Sequence, residues 1–117
     1  MLSFPGSLKV FLAVQPADMR KGFNGLYALV TERMAEDPRQ GALFVFTNHR
    51  YNRIKILYWD GTGLWVMTKR LEKGTFAWPK GLEPEATKLR LKPEALSMLT
   101  DGVDLRGATL RPWYERE

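Results

Sequence analysis

Apolar side chains alternate with polar ones along several short stretches of the chain and follow helical spacing along another. Leu8, Val10, Leu12 and Val14 share one side of a predicted strand, with Phe11 and Ala13 beside Lys9 on the other. Both faces of that strand are therefore expected to be mostly buried. Gln15-Pro16-Ala17 ends it, and Asp18 suits a helix N-cap. Phe23, Leu26, Tyr27, Val30 and Met34 then form one apolar stripe, which predicts the main helix over about residues 19–35. Gly22 and Gly25 each cost about 1 kcal/mol relative to Ala inside a helix. They mark either a later helix start or a close backbone approach. Residues 37–41, Asp-Pro-Arg-Gln-Gly, form a turn.

Three strands are predicted next, over 43–47, 53–59 and 64–71, separated by the polar loop 48–52 and the turn Asp60-Gly61-Thr62-Gly63. Antiparallel pairing across the second turn sets Trp59 opposite Leu64, Tyr58 opposite Trp65, Ile56 opposite Met67, Lys55 opposite Thr68 and Arg53 opposite Arg70. A five-residue loop would pair Thr47 with Arg53, Phe46 with Ile54 and Phe44 with Ile56. Side chains alternate between faces. One face then collects Phe44, Phe46, Ile54, Ile56, Tyr58, Trp65 and Met67 as core, interrupted by Lys69. The other collects Arg53, Lys55, Thr68 and Arg70 beside Leu57, Trp59 and Val66. Arg53 opposite Arg70 is a mildly destabilising like-charge pair that a bound anion would relieve. The alternative is a solvated face whose basic stems cover apolar neighbours. After a turn at 72–75 and a loop at 79–85, residues 87–91 alternate again, with Thr87, Leu89 and Leu91 inward and Lys88, Arg90 and Lys92 outward. Pro93 opens a short C-terminal helix over about 93–100, and Gly102 stops it.

The fold class is thus α+β: an antiparallel sheet of about five strands packed on one main helix, with a short C-terminal helix. Residues 1–105 form a single domain, and residues 106–117 form a loosely ordered tail in which Trp113 and Tyr114 either dock or stand exposed. A length of 117 residues, 44% hydrophobic and 26% charged, fits one globular domain and excludes a disordered chain. Cysteine is absent, which removes disulfides, thiolate metal sites and thiol nucleophiles. No apolar run approaches the length of a membrane helix, and the N-terminus lacks the pattern of a signal peptide, so a cytoplasmic protein is expected.

The net charge of +5 is concentrated in the middle third: residues 46–80 hold seven basic and two acidic side chains, and seven of the fourteen aromatics. Cations interleaved with aromatics suit a polyanion with flat bases, and equally describe a strand core with solvated charges between its rings. Arg20 and Lys21, beside the predicted helix start, could hold a phosphate there, unless Asp18 already satisfies the first-turn amides. Enzyme chemistry finds little support. His49 is the single histidine. Nucleophile, phosphate-loop and metal-binding histidine motifs are missing. Asp18, Asp60, Asp101 and Asp104 are each better explained as caps, turn residues or helix-end flanks than as a converging metal site. No cofactor is expected.

Two long segments carry a resemblance. One is Pro16-Ala17-Asp18-Met19-Arg20-Lys21-Gly22-Phe23-Asn24-Gly25-Leu26. The other begins at Phe44-Val45-Phe46 and continues through Arg53-Ile54-Lys55-Ile56-Leu57-Tyr58-Trp59-Asp60-Gly61. It closes with Gly63-Leu64 and with 69–79, Lys-Arg-Leu-Glu-Lys-Gly-Thr-Phe-Ala-Trp-Pro. Together with Leu96 to Asp104, these resemble the small accessory protein encoded by the second open reading frame of the insertion-sequence-66 family of bacterial transposons. Asn24 stands where that family often has Asp, Leu105 where it often has Trp, and the loop 47–52 carries a single Arg where relatives are commonly Arg-rich. The resemblance implies a non-catalytic helper of transposition, in an element whose separate transposase carries the acidic catalytic residues. The expected partners are DNA at the transposon ends and the transposase of the same element. A membrane is not expected, and a homo-oligomer is compatible with the sequence. The residues expected to bind nucleic acid are Arg20, Lys21, Arg50, Arg53, Lys55, Trp59, Lys69, Arg70 and Lys73. The alternative is a protein-only adaptor that binds the transposase without touching DNA, with Trp59, Trp113 and Tyr114 as anchors.

Overall fold

A computed structural model describes residues 7–79, 85–102 and 114–115. The elements, in chain order, are β1 (Val10–Ala13), α1 (Phe23–Glu32), a single 3-10 turn (Pro38–Gln40), β2 (Leu43–Thr47), β3 (Arg53–Trp59), β4 (Leu64–Arg70), β5 (Lys88–Leu91), α2 (Pro93–Thr100) and the two-residue β6 (Tyr114–Glu115). They form one sheet in the order β4-β3-β2-β1-β5-β6. The class is α+β as expected, and the pairing is antiparallel except between β1 and β2, which run parallel. That parallel step follows from the connection, because a strand returning through a helix re-enters the sheet in its original direction.

β1 and β2 lie at the centre of the sheet, and every residue of both is buried. Each face of the sheet therefore needs its own cover. On one side Leu26, Val30 and Met34 pack against Phe11, Phe44, Phe46 and Leu57. On the other, Ala95, Leu96 and Leu99 of α2 pack with Phe76 and Trp78 against Val10, Leu12, Val45, Ile54 and Ile56. The segment leading from β4 to β5 thus does the work of a second helix on that face. Trp78 is buried there, and its Nε1–H donates to the Ala13 carbonyl at 2.9 Å.

The β3–β4 register matches expectation from Arg53↔Arg70 to Trp59↔Leu64. The β2–β3 register does not. Thr47 is opposite Ile54, Phe46 opposite Lys55 and Phe44 opposite Leu57, one residue from the expected pairing. Phe44 and Phe46 consequently face α1, not the side of Ile54 and Ile56. β2 is apolar on both faces, so alternation could not choose between the registers. The loop chooses instead. Asn48 Oδ1 accepts from the Asn52 and Arg53 amides at 3.0 and 3.1 Å, and Tyr51 takes a left-handed φ of 56°. The Thr47 hydroxyl donates to the Arg53 carbonyl at 2.8 Å and closes the pair. Trp65 and Met67, expected in the core, stand 58% and 36% exposed, because the core under α2 and the 76–79 segment takes in Ile54, Ile56 and Tyr58 of β3 and, among the described residues, no side chain of β4.

The main helix is shorter than expected. Gly22 is its N-cap, with no side-chain cap, and Asp18 instead accepts from the Arg20 amide. Both readings of the early glycines apply: Gly22 marks a late start, and a Cβ on Gly25 would sit 2.9 Å from the Lys21 stem. Gly102, at φ 86°, stops α2 and donates its amide to the Leu99 carbonyl. In β5, Leu89 and Leu91 are buried as expected, while Lys88 and Arg90 lie over the Phe11 ring. Of the expected loose tail, residues 106–113 and 116–117 lie outside the described residues, and 114–115 pair with β5.

Leu12 touches the core from the middle of a strand with no exposed surface. Truncation to Ala should lower unfolding free energy by about 3 kcal/mol. Urea titration of Leu12→Ala would register this as a lower midpoint with an unchanged slope.

Candidate nucleic-acid interface

Three separate stretches of the chain, 17–21, 48–53 and 70–76, meet at the end of the sheet where β3 begins and β4 ends. Arg53 and Arg70 face each other across the two strands. The bond from the Leu71 amide to the Asn52 carbonyl lies just beyond them, which makes Arg53 and Arg70 a non-hydrogen-bonded pair, the kind that holds side chains closer. The Phe76 amide donates to the Tyr51 carbonyl, so the turn carrying Lys73 lies against the loop carrying Arg50. The Ala17 amide donates to the Thr47 carbonyl, and Ala17, Asp18 and Met19 line a surface hollow with Asn48, His49 and Arg50. The loop bearing Arg20 and Lys21 therefore belongs to the same end. None of these contacts is between sequence neighbours.

The candidate residues divide by what they already hold. Arg50, Arg53 and Lys73 are exposed, and no ion pair to them is found among the described residues. Arg70 has one loose, exposed contact, 3.9 Å to Glu72, of the sort that contributes little. Lys21 is exposed with its stem over Gly25. Arg20 is engaged: its guanidinium forks onto the Asp18 carboxylate at 2.7–3.1 Å. Lys55 is also engaged, donating to the Met19 and Lys21 carbonyls at 2.6 and 2.9 Å and pinning the 17–22 loop to the sheet. Lys69 lies on the opposite face, where its ammonium donates to the Thr100 carbonyl at 2.6 Å and caps α2. Trp59 is at the far end of β3, half-buried, with the Arg39 guanidinium 5.1 Å from its ring centre.

Two features had no signal in the local sequence. One is the anchoring role of Lys55, whose carbonyl partners lie over thirty positions away. The other is a hollow of about 280 Å³ between α1 and the carboxyl ends of β1 and β2, floored by Ala13, Ala17, Leu29, Met34 and Phe46 and rimmed by Lys21 and Arg33. Among the described residues no three His, Asp or Glu side chains converge as a metal site. Asp60 is a turn residue: its carboxylate accepts from the Trp65 indole, the Thr62 hydroxyl and the Thr62 and Gly63 amides.

Fold and site together define a small, sheet-centred domain with a group of exposed cations at one sheet end. The chain belongs to the IS66 Orf2-like protein family, which it matches over residues 8–109. That membership makes it an accessory protein of an insertion sequence, with a role in transposition. It is similar to two uncharacterized proteins of Sinorhizobium fredii. Identity to y4jC is 39%, covering 90% of this chain and 87% of that one. Identity to y4hO is 36%, covering 91% and 90%. No solved structure matches the chain significantly. No helix among the described residues is long and apolar enough to cross a membrane.

Donated hydrogen bonds hold two carboxylates below their ordinary range. The Arg20 side chain and amide bring Asp18 to about 2, and the Trp65 indole, with the turn amides, lowers Asp60. Both groups are lower in the fold than in the unfolded chain. Their contribution is therefore complete above the ordinary carboxylate value of about 4 and is lost as pH falls toward 2. Urea midpoints measured from pH 5 to pH 2 should drop, and drop less steeply in the double variant Asp18→Asn/Asp60→Asn.

Proposed function

We propose that this accessory protein binds DNA of its element through the cationic end of the sheet, with Arg50, Arg53, Arg70, Lys73 and Lys21 on phosphates. The observation that carries the reading is that these residues come from three separate stretches of the chain to the sheet end that holds the like-charged pair Arg53–Arg70. Folding sets two arginines directly opposite each other on neighbouring strands at a cost, and a phosphate bound between them would offset that cost with charge-assisted bonds. Lys55 and Lys69, engaged with backbone carbonyls, support this end as anchors. Five phosphate contacts on duplex DNA correspond to a log–log salt slope of about −4.5. The transposase of the same element is the proposed protein partner, and the compartment is the bacterial cytoplasm.

Fluorescence anisotropy on duplexes carrying a transposon end or a scrambled sequence, across a salt series, tests the reading. Arg53→Gln/Arg70→Gln should weaken binding to both duplexes and flatten the slope by about 2, with the melting temperature kept. Absence of binding at low salt would overturn it and move the role to an adaptor that contacts only the transposase.

A further inference from the structure

β4 is an outer strand of the sheet among the described residues, and the bonds at its two ends establish which backbone groups are spent. The Asp60 amide donates to the Gly63 carbonyl at one end and the Leu71 amide to the Asn52 carbonyl at the other. Given the register Arg53↔Arg70 to Trp59↔Leu64, the alternation of an antiparallel ladder makes Trp65, Met67 and Lys69 the residues bonded to β3. Leu64, Val66, Thr68 and Arg70 turn their amides and carbonyls outward. Among the described residues no strand lies beside this row of outward donors and acceptors on a regular seven-residue strand. Beside that row stand Trp65 and Met67, two of the three exposed large hydrophobics among the described residues. The Trp65 indole is held in place by a 2.7 Å bond to Asp60 Oδ2, so ordering it on contact costs little.

We infer that β4 is a self-association edge: it pairs antiparallel with β4 of a second copy of this chain, about a two-fold axis passing through Met67. The register follows from three constraints. Hydrogen-bonded pairs must join the outward-facing residues to each other, and an axis through Met67 does so, setting Val66 opposite the partner's Thr68 and Leu64 opposite the partner's Arg70. This axis also pairs all seven residues, and moving it by one position in either direction shortens the overlap. The charges agree as well. Lys69 meets the partner's Trp65, and the Arg70 end approaches the partner's Asp60 turn. A parallel, in-register pair would set Lys69 and Arg70 against their own copies, which is unfavourable. The inference concerns protein association and stands independently of DNA binding.

The chain has no cysteine, so one introduced cysteine reports on one position. A non-hydrogen-bonded antiparallel pair sets its Cα atoms about 4.5 Å apart, within disulfide reach. Met67→Cys in the full chain, under mild oxidation, should therefore give a cross-linked dimer. Leu64→Cys, whose cross-axis mate is the partner's Arg70, should cross-link at least tenfold more slowly. Sedimentation velocity of the unmodified chain should show a dimer forming with concentration, on the order of micromolar. Thr68→Pro removes an outward amide while sparing the β3 ladder, so it should yield a monomer with an unchanged circular dichroism spectrum. A chain that stays monomeric throughout overturns the inference. So does a dimer in which Leu64→Cys cross-links as fast as Met67→Cys, or one that Thr68→Pro leaves intact.

Discussion

The double-sided burial of β1 and β2 is the constraint on which the rest of this structure depends. Two adjacent strands buried at every position on both faces cannot stand at an edge or leave one surface to water. The chain meets that demand with α1 on one side and with α2 plus the Phe76–Trp78 segment on the other. The long path from β4 across the sheet to β5 follows from it, because the covering segment must cross the α2 face on the way. So does the placement of polar chemistry. With both faces of the central strands covered, exposed cations stand outside them, among others at the sheet end and on β4.

Electrostatics shows the same division of labour. Cations that reach a backbone carbonyl become part of the framework, as Lys55 does over the 17–22 loop and Lys69 at the end of α2. Arg20 is neutralised by its neighbour Asp18. Arg50, Arg53 and Lys73, exposed and without an ion pair among the described residues, lie where β3 starts and β4 stops. Tyr51, held at a left-handed φ of 56°, sits inside the loop that carries Arg50. A bulky residue in that conformation stores about 1–3 kcal/mol of strain, and the Asn48 bonds that hold it also set the position of Arg53.

Where a strand has one polar face, the residues themselves reveal its pairing. The β3–β4 hairpin has a turn rich in Gly and Asp and enough polar positions to define two faces, and its register is readable directly. β2 offers no such contrast, and the expectation for it is displaced by one residue. The exposure of Trp65 and Met67 was hidden for a related reason: apolar identity says that a side chain gains by burial, not that a covering element is long enough to reach it. Asp18 likewise carries two local readings, and its bonds to Arg20, with Gly22 as the N-cap of α1, decide between them.

By itself, the sequence determined the class of fold, the existence and order of the main elements, the Arg53–Arg70 pair and the family resemblance. These rest on periodicity, turn chemistry and contiguous motifs, all of which act over a few residues. The tertiary structure decided which cations are spent on carbonyls and which stay exposed, and that Arg50, Lys73 and the Lys21 loop join Arg53 and Arg70. It also decided that β4 is an outer strand of the sheet among the described residues. Each of these depends on contacts between residues remote in the chain, and such contacts are settled only when the layers pack and the covering segments run out of length.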